Sequence, residues 1–457
     1  MENPAGAETI AGRLERLPLT SRHWRRIALI SIGGAFEFYD MFLSAYVAPG
    51  LVRAHILTAT TTGLFGTKGI AGFVAALFAG LFFGTALFGF VADRFGRRRI
   101  FTASLLWYSA ASAIMAFQTT AFGLDLWRFL AGLGIGVELV TIDTFIAELV
   151  PSRIRGRAFA FNQVIQFSAI PVVAFLAWIL VPRTLLGLDG WRWVVLIGSA
   201  GALVAWALRS GLPESPRWLA ARGRIEEAKT ILARFEREAG LLPRDDIATG
   251  YGEKESSSLS EVFRSPYAAR TVMLVVFNLL QTVGYYGFSN WVPTLLTSEG
   301  ITVTASLFYT FMIALAAPFG PLLAFALSDR IERKGMIAAA ALAVGAFGLM
   351  FAFSRASAPL VLFGALVTLS NNVMSFSFHA YQAELYPTRV RAKAVGFVYS
   401  FSRLSTVFSA FLIAFILRRF GSEGVFVLIA AAMLAVALVI SALGPKVTGR
   451  SLEAISA

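Results

Sequence analysis

The chain contains no cysteine and only three histidines among its 457 residues. The lack of cysteine excludes disulfides, thiolate nucleophiles and cysteine-ligated metals, and three scattered histidines do not form a zinc site. We therefore expect no metal and no other cofactor. Charged residues are also scarce, at 15% of the chain, whereas 57% of the residues are hydrophobic. A chain of this length is then too apolar for soluble domains and is predicted to lie in a lipid bilayer.

Twelve apolar segments are long enough to cross a bilayer, because a spanning helix needs about 20 residues. They lie approximately at 28–50, 69–92, 100–119, 126–148, 158–181, 192–211, 270–295, 305–328, 336–354, 359–385, 394–417 and 424–443. The sequence predicts an all-α membrane protein with twelve transmembrane helices in two six-helix halves. The predicted parts are a tail (1–27), the first half (28–211), a linker (212–267), the second half (268–443) and a second tail (444–457).

The net charge is +13, from 40 basic and 27 acidic residues. The basic residues cluster in short loops beside apolar segments, which is the pattern of the positive-inside rule and not of nucleic-acid binding. We expect no nucleic-acid partner. If twelve helices alternate, the clusters share one side and both termini are predicted to be cytoplasmic. The polar first 27 residues show no cleavage-site pattern and are predicted to be a cytoplasmic tail.

Two short signatures each occur twice in the chain. The segment Gly89-Phe-Val-Ala-Asp-Arg-Phe-Gly-Arg-Arg-Arg99 is repeated as Phe325-Ala-Leu-Ser-Asp-Arg-Ile-Glu-Arg-Lys334, and Glu148-Leu-Val-Pro-Ser-Arg-Ile-Arg155 as Glu384-Leu-Tyr-Pro-Thr-Arg-Val-Arg391. The interval is 236 residues for both pairs. The chain is therefore a duplicated membrane domain, and parallel repeats of this kind build one large class of transporters.

The first repeated loop resembles the signature of the major facilitator superfamily, and the segment from Arg128 to Gly136 resembles its fourth-helix signature. The segments 213–219 and 445–453 resemble sequences of sugar-porter-like members. The second copy of the loop is degenerate, because Phe325 and Glu332 replace glycines. The resemblance covers the whole chain and implies a transporter that works by alternating access, as a monomer, in the inner membrane of a bacterial cell.

A finer resemblance is to bacterial metabolite:proton symporters that carry organic and aromatic acids, niacin transporters among them. It rests on Tyr285, Tyr286 and Trp291 in the seventh span and on the acids of the first span. In the superfamily the repeated loops latch neighbouring helices on the cytoplasmic face. The resemblance thus implies a gating set of Asp93, Arg94, Arg97, Glu148, Arg155, Asp329, Arg330, Glu384 and Arg389. Glu148 is expected to pair with Arg97 or Arg155, and Glu384 with Arg333 or Arg391.

Three carboxylates inside predicted spans are candidates for proton coupling: Glu37, Asp40 and Glu138. A charge in the middle of a membrane costs about 2.5–3.5 kcal/mol on insertion scales, so it is expected to have a function. Glu37 and Asp40 are three residues apart on one helix face, and two such carboxylates at close range favour a proton on one of them. The alternative for each residue is a structural pairing with a nearby arginine.

Arg403 lies near the centre of the eleventh span and shares a helix face with Tyr399. Its counterpart in the first repeat is Phe167, so the duplication does not account for the charge. A guanidinium can hold a carboxylate through two hydrogen bonds. Arg403 is therefore predicted to bind a substrate anion, and the alternative is an ion pair with Asp40 or Glu37.

Polar stripes on three further spans are predicted to face a cavity, and the tyrosines and tryptophan of the seventh span could stack on an aromatic ring. The predicted substrate-binding set is Arg403, Tyr285, Tyr286, Trp291, Gln281, Asn372, His379, Tyr399 and Gln166. The sequence thus predicts a secondary transporter, and not an enzyme, that imports a small organic acid together with protons. Sugar or polyol symport, proton-coupled export of drugs or metabolites, and a receptor on the same fold remain as alternatives.

Overall fold

The computed structural model of the protein describes residues 9–18, 20–58, 60–88, 94–209, 211–242, 259–265, 267–327, 330–386 and 388–447. Within these residues the regular structure is helical, apart from one small antiparallel hairpin that pairs Thr184–Leu185 with Leu188–Asp189. Ten helical stretches of the described chain are long and apolar enough to cross a membrane. This arrangement agrees with the predicted all-α class.

The first part of the chain forms nine helices of the described residues. They are α1 (Ile10–Arg16), α2 (Ser21–Arg53), α3 (Gly69–Phe88), α4 (Arg97–Met115), α5 (Ala121–Leu149), α6 (Ser152–Leu180), α7 (Gly190–Arg209), α8 (Pro216–Ala221) and α9 (Ile225–Glu238). Helices α2 to α7 correspond to the first six predicted spans. Helix α4 is not among the ten apolar stretches, because three arginines open it.

The second part forms seven helices of the described residues. They are α10 (Tyr267–Ser289), α11 (Val292–Ser298), α12 (Val303–Ala314), α13 (Phe319–Leu327), α14 (Arg333–Phe353), α15 (Ser357–Glu384) and α16 (Thr388–Leu443). The predicted eighth span is divided into α12 and α13. The predicted eleventh and twelfth spans form the single stretch α16, broken at Gly421, whose positive φ of 69° interrupts the helix.

The predicted N-terminal tail is partly folded. Helix α1 begins after the N-cap Thr9, and the first spanning helix already begins at Ser21. Ile10 and Leu14 of α1 are buried in an apolar cluster with Leu232 and Phe235 of the linker helix α9. Helices α1, α8 and α9 therefore form a small helical layer on the end of the bundle, here called the linker end.

Glycines allow close packing inside the first half. A Cβ at Gly80 of α3 would lie 2.2 Å from the carbonyl oxygen of Phe129, and one at Gly132 of α5 would lie 2.3 Å from that of Leu77. Small residues at such contacts let two membrane helices approach backbone to backbone. Gly132 and Gly136 of the fourth-span signature are thus explained by the contact of α5 with α3, whereas Gly134 faces Ser104 and Trp107 of α4.

The two halves meet through aromatic rings at the end opposite the linker end. The ring of Trp178 on α6 stacks on that of Phe311 on α12, at 5.8 Å between centroids and 7° between planes, and contacts Phe308 at 5.0 Å. Phe175 also contacts Phe311, at 5.4 Å. These contacts close the space between the halves at that end.

Candidate functional site

Arg403 lies on α16 at the interface of the two halves and is 5% exposed. Its Nη1 donates to the hydroxyl oxygen of Tyr286 at 2.8 Å, and its Nη2 to that of Tyr399 at 3.0 Å. The guanidinium also lies 5.0 Å from the centre of the Tyr399 ring. Within the described chain no carboxylate pairs with it, so a buried positive charge is held by neutral hydroxyls alone.

Aromatic rings surround this guanidinium. The rings of Tyr285 and Tyr286 meet edge to face at 4.9 Å, and Tyr286 contacts Phe78 of the other half at 4.6 Å. Tyr285 contacts Phe42 of α2 at 6.5 Å. Tyr285 and Tyr286 of α10 thus lie between Arg403 and the rings of the first half.

His379 extends the same site along α15. Its ring meets that of Tyr399 edge to face at 5.1 Å. Its Nδ1 lies 3.2 Å from the amide nitrogen of Gln382. The histidine ring therefore lies one aromatic ring away from Arg403.

A small cavity of about 30 Å³ lies beside Tyr285 and is lined by Tyr46, Ser289, Asn371 and Asn372, among others. This volume accommodates about one water molecule. The side-chain amide of Asn372 donates to the carbonyl of Ala317 at 3.0 Å, whereas both polar atoms of Asn371 are buried without a partner among the described residues. Asn371 was not predicted, although it neighbours a predicted residue.

The other predicted substrate-binding residues lie further from Arg403 in what the structure describes. Trp291 is buried at the start of α11, beyond the end of α10. Gln166 packs against α2, where a Cβ on Gly34 would lie 2.4 Å from its amide nitrogen. Gln281 is half-buried and lies five residues before Tyr286 on α10. Their part in binding stays a prediction.

Asp40 pairs with Arg128 of α5. The Nη1 of Arg128 donates to Oδ2 of Asp40 at 2.8 Å, its Nη2 contacts the Asp40 carbonyl, and its Nε donates to the Ser44 hydroxyl at 3.0 Å. Ser112 donates to Oδ1 of Asp40 at 2.8 Å. The alternative prediction that Arg403 pairs with Asp40 is therefore wrong for this structure, because Arg128 holds that carboxylate.

Glu138 pairs with Arg209 at the end of α7. The Nη1 of Arg209 donates to Oε1 of Glu138 at 2.9 Å, and its Nε and Nη2 donate to the carbonyls of Leu29 and Ile30 at 3.1 and 2.7 Å. A Cβ at Gly33 would lie 1.4 Å from this guanidinium, so only glycine leaves room for it. The side chains of Arg209 and Glu138 are 2% and 0% exposed.

Glu37 belongs to the same cluster but lacks a basic partner of its own. Its carboxyl lies within hydrogen-bonding reach of that of Glu138, and no basic side chain of the described residues donates to either of its oxygens. The cluster therefore contains two carboxyl groups and one guanidinium, which is neutral overall when the two carboxyls share one proton. The alternative pairing of Arg403 with Glu37 is also absent here.

Asp143 marks a crevice between the halves. The Asp143 side chain is exposed to solvent but lies among protein atoms, as a residue lining an open crevice does. It interacts electrostatically with Glu37 of the first half and Tyr399 of the second. It lies on α5 nearer to the linker end than Glu138. Because the opposite end is closed by Trp178 and its partners, the space between the halves opens toward the linker end.

The repeated signatures form one ion pair in each half. Arg97 donates to Oε1 of Glu148 at 3.2 Å, and Arg333 pairs with Glu384. Arg155 instead faces Glu15 at 4.0 Å. Arg94 and Arg330 are exposed. Asp93, Asp329 and the side chain of Arg389 lie outside the described residues.

Arg128, Arg209 and Gly33 are the main residues that sequence reasoning missed. Both arginines lie inside predicted spans, where an unpaired base is as costly as an unpaired acid. The predicted spans of the first half contain arginines as well as acidic residues. A comparison of their numbers would have indicated ion pairs inside that half. Gly33 has no comparable signal, since its role depends on which side chain lies opposite.

Proteins with similar sequences are named as transporters. The family model described as Sugar (and other) transporter matches residues 27–457. The metabolite transport protein YyaJ of Bacillus subtilis is 30% identical over 447 residues, covering 97% of this chain and 96% of the relative. The niacin transporter NiaP of Acinetobacter baylyi is 29% identical over 450 residues, covering 98% and 99%.

Solved structures agree with the fold. The inward-open xylose transporter XylE from Escherichia coli matches with a TM-score of 0.75 at 19% identity, covering 95% of this chain and 99% of that chain. The predicted all-α membrane fold is thereby confirmed. The protein is a multi-pass membrane transporter and not an enzyme, and the chain belongs to the sugar (and other) transporter family of the major facilitator superfamily.

Proposed function

We propose that this transporter imports a small organic acid, with an aromatic ring or similar apolar part, by symport with protons. The observation that carries the proposal is the guanidinium of Arg403, which is buried between two tyrosine hydroxyls with no described carboxylate opposite it. A buried cation without a counterion is unfavourable, and a substrate carboxylate would supply that counterion. The named function of NiaP, a niacin transporter, is consistent with a carboxylate on an aromatic ring.

The rings around Arg403 suit such a substrate. Tyr285, Tyr286 and Phe78 present ring faces and edges within a few ångströms of one another. An aromatic acid could stack there while its carboxylate accepts hydrogen bonds from Arg403. Gln281, Asn372, His379, Tyr399 and Gln166 would then supply polar contacts, and Trp291 would bound the apolar side.

Proton coupling is assigned to the first half. The pair of Asp40 and Arg128 is neutral by itself, whereas Glu37 and Glu138 together have one guanidinium. Charge balance favours a proton shared by Glu37 and Glu138, and we assign the exchangeable proton to that pair. Asp40 would then affect proton coupling mainly through its ion pair with Arg128.

Alternating access follows from the shape of the interface. The aromatic contacts of Trp178 close one end, and the crevice at Asp143 opens toward the other. We assign the linker end to the cytoplasm of a bacterial inner membrane, with both termini there, in accordance with the basic loops. Arg97 with Glu148 and Arg333 with Glu384 each join two helices of one half at this end while the crevice is open. We assign to them, and to the other residues of the repeated loops, the role of holding the helices on either side of the inner gate in place.

The test measures binding by thermal stabilisation of the purified protein in detergent, since ligand binding raises the melting temperature. Nicotinate and benzoate are compared with nicotinamide and benzamide, which have the same shape without the charge, and with xylose. We expect the two acids to stabilise the wild type and the amides to do so far less. Arg403→Gln should weaken acid binding on the order of 10- to 100-fold, since a charged hydrogen bond contributes about 1.5–3 kcal/mol.

Arg419→Gln is the matched control, because Arg419 is an exposed arginine on the same helix, α16. It should bind the acids as the wild type does. If Arg403→Gln binds them equally well, Arg403 is not the anion site. If xylose stabilises the protein and the acids do not, the sugar alternative replaces the organic-acid proposal.

A further inference from the structure

A basic cavity of about 380 Å³ opens at the linker end between α2, α7 and α9. Arg22, Arg25 and Arg26 from the first turns of α2 line one side of it, and Arg234 and Glu238 of α9 line another. None of Arg403, Asp40 and Glu138 lines this cavity. The family model begins at residue 27, so three of these arginines precede the matched segment.

Four arginines and one carboxylate line this cavity, and three of the arginines interact with that carboxylate. Glu238 pairs with Arg26, and its Oε1 lies 3.0 Å from Arg234 Nε and 3.9 Å from Arg22 Nη1. Burial raises the pKa of the Glu238 carboxyl, but hydrogen bonds from Arg26 and Arg234 outweigh this effect and hold the pKa below its usual value. Glu238 is therefore ionised at neutral pH, and the cavity retains three positive charges in excess.

The surroundings of Arg26 give the strongest indication that this cavity binds an anion. Its side chain is 11% exposed, and its guanidinium lies 4.1 Å from the centre of the Phe235 ring. Its Nη1 is buried without a partner among the described residues. Arg22 and Arg234 repel it electrostatically. A buried N–H without an acceptor and a concentration of like charge are both relieved by one bound anion.

The other residues that line the cavity indicate whether such an anion comes from the lipid bilayer or from solution. Leu29 of α2 and Leu208 of α7 also line the cavity, and Leu208 is 54% exposed. Both residues belong to spanning helices, whereas α9 lies outside the spans. The cavity therefore has an apolar wall that faces lipid chains and a basic wall at the depth of the headgroups.

We propose that this cavity binds the phosphate of an anionic phospholipid headgroup, with Arg22, Arg25, Arg26 and Arg234 as its donors. Guanidinium groups bind phosphate oxygens through paired, charge-assisted hydrogen bonds. Basic pockets beside membrane helices are a recurrent form of lipid headgroup site. A lipid held here links α2 to α9 and so fixes the linker to the first half, independently of the substrate that the transporter carries.

The test titrates detergent-purified full-length protein with phosphatidylglycerol and with phosphatidylcholine of the same acyl chains, and records lipid adducts by native mass spectrometry and melting temperature. We expect phosphatidylglycerol to bind and to stabilise the protein, and phosphatidylcholine to do so at least tenfold more weakly. Glycerol 1-phosphate and inorganic phosphate form a third arm. If these soluble anions stabilise the protein as strongly at equal concentration, the lipid assignment is overturned in favour of a free phosphate.

The variant Arg25→Gln with Arg234→Gln leaves the pair of Arg26 and Glu238 in place. It should lose preference for phosphatidylglycerol by at least tenfold. The control, Arg157→Gln with Arg237→Gln, removes the same charge at exposed positions at the same end and should keep the preference. Equal loss in both variants would mean unspecific attraction to a positive surface and would overturn the proposal.

If the double variant fails to fold, Arg25→Gln alone against Arg157→Gln gives the same comparison, since both arginines are exposed. A smaller but selective loss of phosphatidylglycerol in Arg25→Gln is expected. No difference between the two single variants would contradict the site.

Discussion

The two halves of the bundle differ in the groups that stabilise their buried charges. In the first half Asp40 is paired with Arg128 and Glu138 with Arg209, all within spanning helices. In the second half the spanning helices carry acidic residues only near their ends, and the central Arg403 is held by tyrosines. A duplicated fold thus has acids with internal partners on one side and a base without an acidic partner on the other.

This difference indicates a division of function. A half whose charges are internally paired can change protonation without a ligand. A half whose central cation has no acidic partner among the described residues needs an anion from outside to balance it. The following substitutions test that difference, and they are ordered by the size of the expected effect.

The largest effect is expected for Arg209→Leu. This change leaves Glu138 buried without its cation, and breaking a buried pair in this way costs about 3–5 kcal/mol. The melting temperature in detergent should fall strongly. Adding Glu138→Leu should recover most of the loss, because removal of both partners leaves no uncompensated charge. A single variant that melts like the wild type would show that the pair is not formed.

The same change in the second half, Arg403→Leu, should have a much smaller effect on stability. Two hydrogen bonds from a charged group are lost, at about 1.5–3 kcal/mol each, but the cost of burying a cation without a counterion, which is several kcal/mol, is avoided and offsets that loss. We expect a melting temperature near or above that of the wild type, measured in the same assay. A fall as large as that of Arg209→Leu would mean that Arg403 has a structural partner.

Within the first half, Glu37→Gln and Asp40→Asn should separate the two charge clusters. Glu37→Gln leaves the pair of Glu138 and Arg209 neutral, so we expect near-normal stability but loss of accumulation driven by a pH gradient in proteoliposomes, with substrate exchange retained. Asp40→Asn leaves Arg128 unpaired and should lower the melting temperature. If Glu37→Gln still accumulates substrate against a gradient, the proton is carried elsewhere.

The smallest effect is expected where the halves are alike. Arg97→Gln and Arg333→Gln each remove one partly exposed ion pair of the repeated signatures, and such pairs contribute about 0–1 kcal/mol. The two variants should lose similar, small amounts of stability. An unequal loss, measured in matched melting curves, would show that the second, degenerate copy has a different structural role.

The spans and the duplication could be predicted from the sequence because they depend on local hydrophobicity and on a fixed interval. The helix ends were less predictable: α2 begins at Ser21 because its first turns pack against α9 in the linker layer. Arg403 was identified because Phe167 occupies the equivalent place in the first repeat. In the structure Phe167 packs on Phe38. A charged residue whose counterpart in the other repeat is apolar can be recognised from the sequence alone.

The pairing of the buried charges could not be predicted in the same way. Asp40 and Arg128 are far apart in the chain, and their contact depends on how α2 packs against α5. Arg209 lies near the end of a predicted span, where a base is expected to reach water. Its burial depends on Gly33, which leaves an opening in α2 that only a three-dimensional arrangement reveals.

The contact between α1 and α9 has a consequence for synthesis. Arg13 is made before the first spanning helix, yet its buried partner Glu236 is made only after all six spans of the first half. The contact can therefore form only once those six helices have been produced. Helix α1 therefore joins the two ends of the first half, and its contact with α9 needs no residue of the second half.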